Sequence, residues 1–331
     1  MNKNEEINHL TNKLSNHLER KNCLKALKIA NKILKLDPQN TNVLKIKLVI
    51  LSYLKMFELA INTADEILKL DPSATEVYGF KGLFLEELNQ KKEALQAFNT
   101  ALIYHPDNYE IESDYIDLVN SLDYNEDSLK FIEELTENNP NNLENYLVMG
   151  YISNHLGRHE NALEFFDKYI EKSKKIFGED IGNHSYLQKA ETLRLLKRYN
   201  EALELANKII KEDNKSQETY VEKALILKEM GEYEKALTTL NESIEIDHSY
   251  MQPVEEKGIL YLELKDYDNA ITYLQKAIDN EFKPYFYIAM AFKGKEEYEK
   301  ALYYLNKIED TKYKHEEYLK AQKEIEEINN L

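Results

Sequence analysis

The sequence predicts an all-α chain of repeated helical hairpins, and three observations predict it. Pro38, Pro72, Pro106 and Pro140 stand 34 residues apart, three of them in the related turns LDPQN, LDPSA and YHPDN. Ala26, Ala60, Ala94, Ser128 and Ala162 keep the same step, and the series continues through Ala202, Ala236, Ala270 and Ala301 at steps of 40, 34, 34 and 31. With only 9 Gly and 6 Pro, the chain is dominated by Leu, Lys, Glu, Ala, Asn and Ile, which favour helices joined by short turns. Two residue types on one period identify an array of small units, which escapes the size limit on a single core.

Each period holds two helices. The first is seen in TEVYGFKGLFLEEL from Thr75 and LENYLVMGYISNHL from Leu143. The second recurs as FELAINTADEIL, KEALQAFNTAL, ENALEFFDKYI, NEALELANKII, EKALTTLNESI, DNAITYLQKAI and EKALYYLNKI. In EYEKALTTLNESI the residues Tyr233, Ala236, Leu237, Leu240 and Ile244 follow the spacing of one helical face. A hairpin this small cannot bury its apolar faces alone, so successive units must stack. Where two helices cross closely, only Gly, Ala or Ser lets the backbones approach.

Nine units result, with three irregularities. The fourth unit has Ser128 for Ala and Ile116 for the small residue of the first helix. Six extra residues around IFGEDIGN, with Gly178 and Gly182 as breakers, separate the fifth and sixth units. Three residues are missing between the eighth and ninth, where Pro253 and Pro284 are expected in the first turns of first helices. The expected segments are 7–177, a possible hinge at 178–182, 183–310, and a capping helix in 311–331 with an apolar stripe of Tyr318, Ile325 and Ile328.

With Thr75 as position one, the third unit supplies Tyr78, Gly82, Leu85, Ala94, Phe98, Ala101 and Pro106. The fifth follows with Tyr146, Gly150, Ala162 and Phe166, and the seventh with Tyr220, Ala224 and Ala236. On these residues the chain resembles the tetratricopeptide repeat (TPR) family over positions 7–310. The resemblance implies a right-handed superhelical solenoid of about nine TPR-like hairpins plus a C-terminal capping helix, with first helices lining a concave groove that grips peptides. On that face it places Leu147, Tyr151, Asn154, Leu187, Glu191, Glu218, Glu222, Leu225, Glu255 and Ile259 as partner-binding residues. Further carboxylates, Glu76, Glu86, Glu110, Asp114, Asp117, Glu144, Glu256 and Glu263, make the groove acidic. Lys45 and Lys283 stand where some family members clamp a C-terminal carboxylate, but Val49 and Phe80 occupy the places of other clamp groups.

Composition narrows the function. A formal net charge of −17 opposes general binding to nucleic-acid phosphates. Phosphate-loop, nucleophile-elbow and zinc-protease motifs do not occur. His155 and His159 are four apart, but Gly157 is expected to put a turn between them, and Zn usually needs three or four ligands. Cys23, the single cysteine, reads as a small packed side chain. Adjacent Glu255 and Glu256 read as a solvated face. So do Lys25, Lys28, Lys32 and Lys35, with a basic docking edge as the alternative. Many of the 24 tyrosines fall at hairpin packing positions. MNKNEEINHLTNK lacks the apolar run of a signal peptide, and no stretch suits a membrane span, so a cytoplasmic protein without cofactor or metal is expected.

The reading is a non-enzymatic scaffold that holds a basic or amphipathic segment of another protein. A self-assembling structural array and an RNA-binding helical repeat are the alternatives, and the oligomeric state stays open.

Overall fold

The computed structural model describes residues 2–106, 108–178, 183–280, 282–308 and 316–329, without the side chains of 316–319, 326, 328 and 329. Among the described residues all regular structure is helical. The chain forms two compact units, Met1–Lys172 and Ser173–Leu331. In the first, α1 (Lys3–Glu19) pairs with α2 (Cys23–Leu36), α3 (Thr41–Tyr53) with α4 (Phe57–Leu70), and α5 (Thr75–Glu87) with α6 (Lys91–Tyr104). α7 (Tyr109–Asn120), α8 (Glu126–Asn138), α9 (Leu143–His155) and α10 (His159–Phe177) follow, the last five residues of α10 counting with the second unit. The second unit holds α11 (Asn183–Leu195) with α12 (Tyr199–Glu212), α13 (Gln217–Glu229) with α14 (Tyr233–Ile246), α15 (Gln252–Glu263) with α16 (Tyr267–Ile278), and α17 (Tyr285–Gly294) with α18 (Tyr298–Asn306). α19 (Glu316–Asn329) follows them.

The periodic alanines explain the hairpins. All eight are fully buried, and Ser128 is nearly so. A Cβ on Gly82 would lie 2.4 Å from the Phe98 ring, and one on Gly150 2.4 Å from the Phe166 ring. The aromatic ring of the second helix therefore rests on bare backbone of the first, a contact closed to any larger residue.

The turns repeat as closely as the helices. Lys21, Lys55, Asn89, Gly157, Lys197, Gly231, Lys265 and Glu296 all have positive φ, on the same steps as the alanines. In each turn the following residue donates its N–H back to the third-last residue of the first helix, as from Asn22 to His17, Met56 to Leu51 and Gln90 to Leu85. This is the Schellman closure, which satisfies carbonyls left open at a helix end.

The fourth unit departs from this pattern. No residue near 123 has positive φ among the described residues, and Ile116 is only half-buried while Tyr115 is fully enclosed. A branched side chain at 116 cannot occupy the backbone contact that Gly82 and Gly150 make, so the neighbouring tyrosine fills the core instead.

Each unit has its own core. In the first, Phe98, Tyr115, Ile132 and Met149 lie in one cluster. In the second, Ala270, Leu274, Ala301 and Leu305 pack with Ile325 of α19, so the capping helix closes the last hairpin. Tyr318 and Ile328 of the expected stripe lie outside the described side chains. Pro253 falls in the first turn of α15, whereas Pro284 is the N-cap of α17 rather than a residue of its first turn. Gly178 has φ +74°, and 179–182 of the expected hinge lie outside the described residues. No described helix is long and apolar enough to cross a membrane.

Candidate functional site

The expected binding residues fall in both units. In the first, Leu147, Tyr151 and Asn154 lie on α9. Leu147 is buried with Ala162 and Phe166, and the half-buried Tyr151 ring meets Phe166 edge-on at 5.8 Å. Asn154 Oδ1 lies 3.1 Å from His159 Nδ1 across the Gly157 turn. These side chains thus support the α9–α10 hairpin. Beside them, burial pushes the Glu144 carboxyl up to about 7, and the charge of Glu112 adds to the effect.

In the second unit the first helices α11, α13, α15 and α17 contact one another in sequence. Leu187 and Glu191 sit on α11, Glu218, Glu222 and Leu225 on α13, and Glu255 and Ile259 on α15. Glu218 is exposed, Glu222 is buried, and the other five are half-buried. Glu191, Leu225 and Ile259 continue the register of Tyr151 at steps of 40, 34 and 34.

Electrostatics ties Glu222 of this set to a residue absent from it. Arg194 of α11 donates from Nε to Glu222 Oε1 and from Nη1 to Glu229 Oε1, both at 2.7 Å. Burial opposes the guanidinium charge, but the two carboxylates more than offset it and hold the pKa above its ordinary value. Burial also pushes Glu222 up to about 7 against the pull of Arg194, with Glu191 and Glu229 adding to the rise. Lys228 of α13 bridges to Glu263 of α15 at 3.2 Å.

Glu255 and Glu256 correct the expectation of a solvated face. Both are half-buried, and burial raises both carboxyls. Glu256 adds to the rise at Glu255, while Lys228 and Arg194 moderate Glu256. The neighbouring first helices cover these side chains in a way that spacing on one helix does not reveal.

Arg194 and Lys228 were legible by register. They stand 40 and 74 positions beyond Asn154, the steps of the repeat, so the position that gave Asn154 gives two cations further on. Among the other candidates, Lys45 is paired to Glu76 at 2.6 Å and Lys283 is exposed. His155 ends α9 edge-on to Tyr124, and His159 begins α10. Among the described residues no group of three or more possible metal ligands gathers. Cys23 is half-buried against the core of the first hairpin. Tyr146 and Tyr186 are buried packing residues with lysines over their rings: Lys172 at 5.4 Å over Tyr146, and Lys174 at 5.5 Å and Lys208 at 4.7 Å over Tyr186.

Two descriptions of the tetratricopeptide repeat match the chain, one over residues 143–174, 217–250 and 255–284 and the other over 54–109. No curated protein matches in sequence. Among solved structures, yeast Tom70 is similar with a TM-score of 0.51 and 13% identity, covering 99% of this chain and 96% of Tom70. The APC/C hetero-tetramer Cut9-Hcn1 is similar with a TM-score of 0.53 and 14% identity, covering 91% of this chain and 59% of the matched one. At these identities the likeness is one of fold. Buried alanines on a 34-residue step, ring-on-glycine hairpins and matches to the repeat itself converge: the chain carries tetratricopeptide repeats over residues 54–109, 143–174, 217–250 and 255–284.

Proposed function

We propose that the chain is a non-enzymatic protein-interaction scaffold, and that the face of α11, α13 and α15 receives a basic, amphipathic segment of a partner protein. The supporting observation is an imbalance of charge in a partly desolvated place. Glu191, Glu222, Glu229, Glu256 and Glu263 crowd around two cations, Arg194 and Lys228, and Glu255 adds its charge beside Glu256. Carboxylates held together and shielded from water gain from an added cation, because the incoming charge offsets both their repulsion and their lost hydration. Leu187, Leu225 and Ile259 flank them and offer half-buried apolar surface to the partner's non-polar side chains. Leu147, Tyr151 and Asn154 present the same register in the first unit. Glu222 is committed to Arg194 and acts by shaping the face, whereas Glu218 and Glu255 are the groups that meet the ligand.

Fluorescence anisotropy with a labelled synthetic peptide of arginine and leucine tests this reading. Binding is expected to weaken about tenfold in a Glu218→Gln/Glu255→Gln variant. It is also expected to fade between about 0.1 M and about 1 M salt, as the Debye length falls from about 10 to about 3 Å. Affinity that ignores the double substitution, or rises with salt, would overturn it.

A further inference from the structure

We propose that a cleft between α2, α3 and α4 binds an acidic, amphipathic segment of a partner protein through Lys35, Lys47 and Lys69. This goes beyond the proposal above, since it concerns a different surface and a ligand of opposite charge.

The argument starts from one register position of the repeat. Lys81 of α5 reaches back sixteen residues and donates to Asp65 Oδ1 of α4 at 2.6 Å. Lys257 of α15 makes the same reach to the Asn241 side-chain oxygen, and its ammonium is completed by the Tyr273 hydroxyl at 2.8 Å and the Tyr273 ring at 4.2 Å. Lys47 is the counterpart of Lys81 one 34-residue step earlier, and Asn31 the counterpart of Asp65. Both line the cleft. At this level an amide stands where the next repeat has a carboxylate, and among the described residues Lys47 makes no ion pair.

The rest of the lining reinforces the imbalance. Lys35 of α2 and Lys69 of α4 are themselves one repeat apart and exposed, and Glu66 is the single carboxylate against the three lysines. None of these four forms a salt bridge among the described residues. A local positive excess thus sits on a chain of formal charge −17, continuous along α2 with the exposed Lys25, Lys28 and Lys32. Lys35, the last lysine of the basic stripe seen in the sequence, is the one that lines this cleft.

Charge and shape select the occupant. Leu44 and Leu70 supply apolar wall, and the cleft measures about 680 Å³, within the range of binding sites and large enough for several side chains. Lysines act as mobile point charges and do not impose the fork geometry of arginine, so they suit flexible carboxylates on an extended or helical segment. The complementary ligand carries two or more Glu or Asp residues beside a Leu-sized side chain.

The test uses the full chain, with fluorescence anisotropy of a labelled synthetic peptide of glutamate and leucine. Its counterpart with lysine for glutamate, and inorganic phosphate at matched ionic strength, serve as comparisons. Lys47→Gln and Lys69→Gln are expected to weaken binding about tenfold each. Asn31→Asp is the decisive variant. It supplies the carboxylate that Lys81 has in Asp65, so it is expected to abolish peptide binding while leaving the melting temperature unchanged or higher, which separates loss of the site from loss of the fold. Equal binding of the lysine peptide, unchanged affinity in Asn31→Asp, or displacement of the peptide by phosphate would overturn the proposal, the last by showing a site for small anions. Glu218→Gln/Glu255→Gln should leave this binding intact, so the two surfaces stand or fall separately.

Discussion

Arg194 and Glu222 join two neighbouring repeats through one buried contact: the guanidinium of α11 reaches α13 at 2.7 Å and extends to Glu229 a further two turns along. Both side chains are largely withdrawn from solvent, with exposures of 13% and 9%. Such a pair adds less to stability than its geometry suggests, because two charges have lost their water, yet removing one partner strands the other. It also fixes where the remaining carboxylates of the face stand.

Arg194→Met is accordingly expected to destabilise the second unit by about 3 to 5 kcal/mol. The double variant Arg194→Met/Glu222→Met should recover most of that loss. Urea unfolding of the three proteins measures the difference.

Acidity should stabilise the protein over a defined window. Glu144 stands at about 7 in the folded chain against an ordinary 4.5, so the native state binds more protons than the unfolded one between those values. Stability therefore rises as pH falls from about 8 to about 5. Below that, carboxylates held low by partners, such as Glu76 beside Lys45, protonate and their contribution is lost. Glu144→Gln should raise stability at pH 8 by on the order of 1 to 3 kcal/mol and leave it unchanged near pH 5, read from thermal melts across pH.

Ala94 and Gly82 test the hairpin contact from opposite sides. Ala94→Leu and Gly82→Ala each force atoms into occupied space, in the second case against the Phe98 ring. Each is expected to cost about 1 to 3 kcal/mol. Melting temperatures unchanged in both would contradict the packing.

The turns predict changes of opposite sign. Lys55 adopts φ +56° without being glycine, so Lys55→Gly should stabilise by up to about 1 kcal/mol. Gly231→Ala, at φ +79° with open space around it, should destabilise by about 1 kcal/mol from backbone strain alone. Chemical denaturation of the two variants gives the sign.

The hairpins were legible in the sequence because their packing depends on residue types that recur: Ala94, Gly82 and Phe98 have few substitutes. The turns were legible only where a glycine such as Gly157 marks one, since most left-handed positions are held by Lys, Asn or Glu, and the backbone bond that fixes them leaves no mark on those residue choices. The binding face was legible as a list of positions but not as a set of partners. Glu255 and Glu256 looked solvated because their burial comes from neighbouring helices, and Arg194 escaped notice because a search for carboxylates passes over the cation between them. The exchange of Asp65 for Asn31 is visible only when a lysine sixteen residues later is known to point back at it.

Within each unit the hairpin contacts run between helices close in the chain, since every ring-on-backbone pair lies inside one hairpin or between adjacent ones. Contacts so local carry little loop-closure cost, which favours rapid formation from several starting points. During synthesis, a hairpin such as α5–α6 has its own turn, alanine seam and aromatic plug before the next emerges. Truncation at a repeat boundary should therefore shorten the array without scrambling what remains.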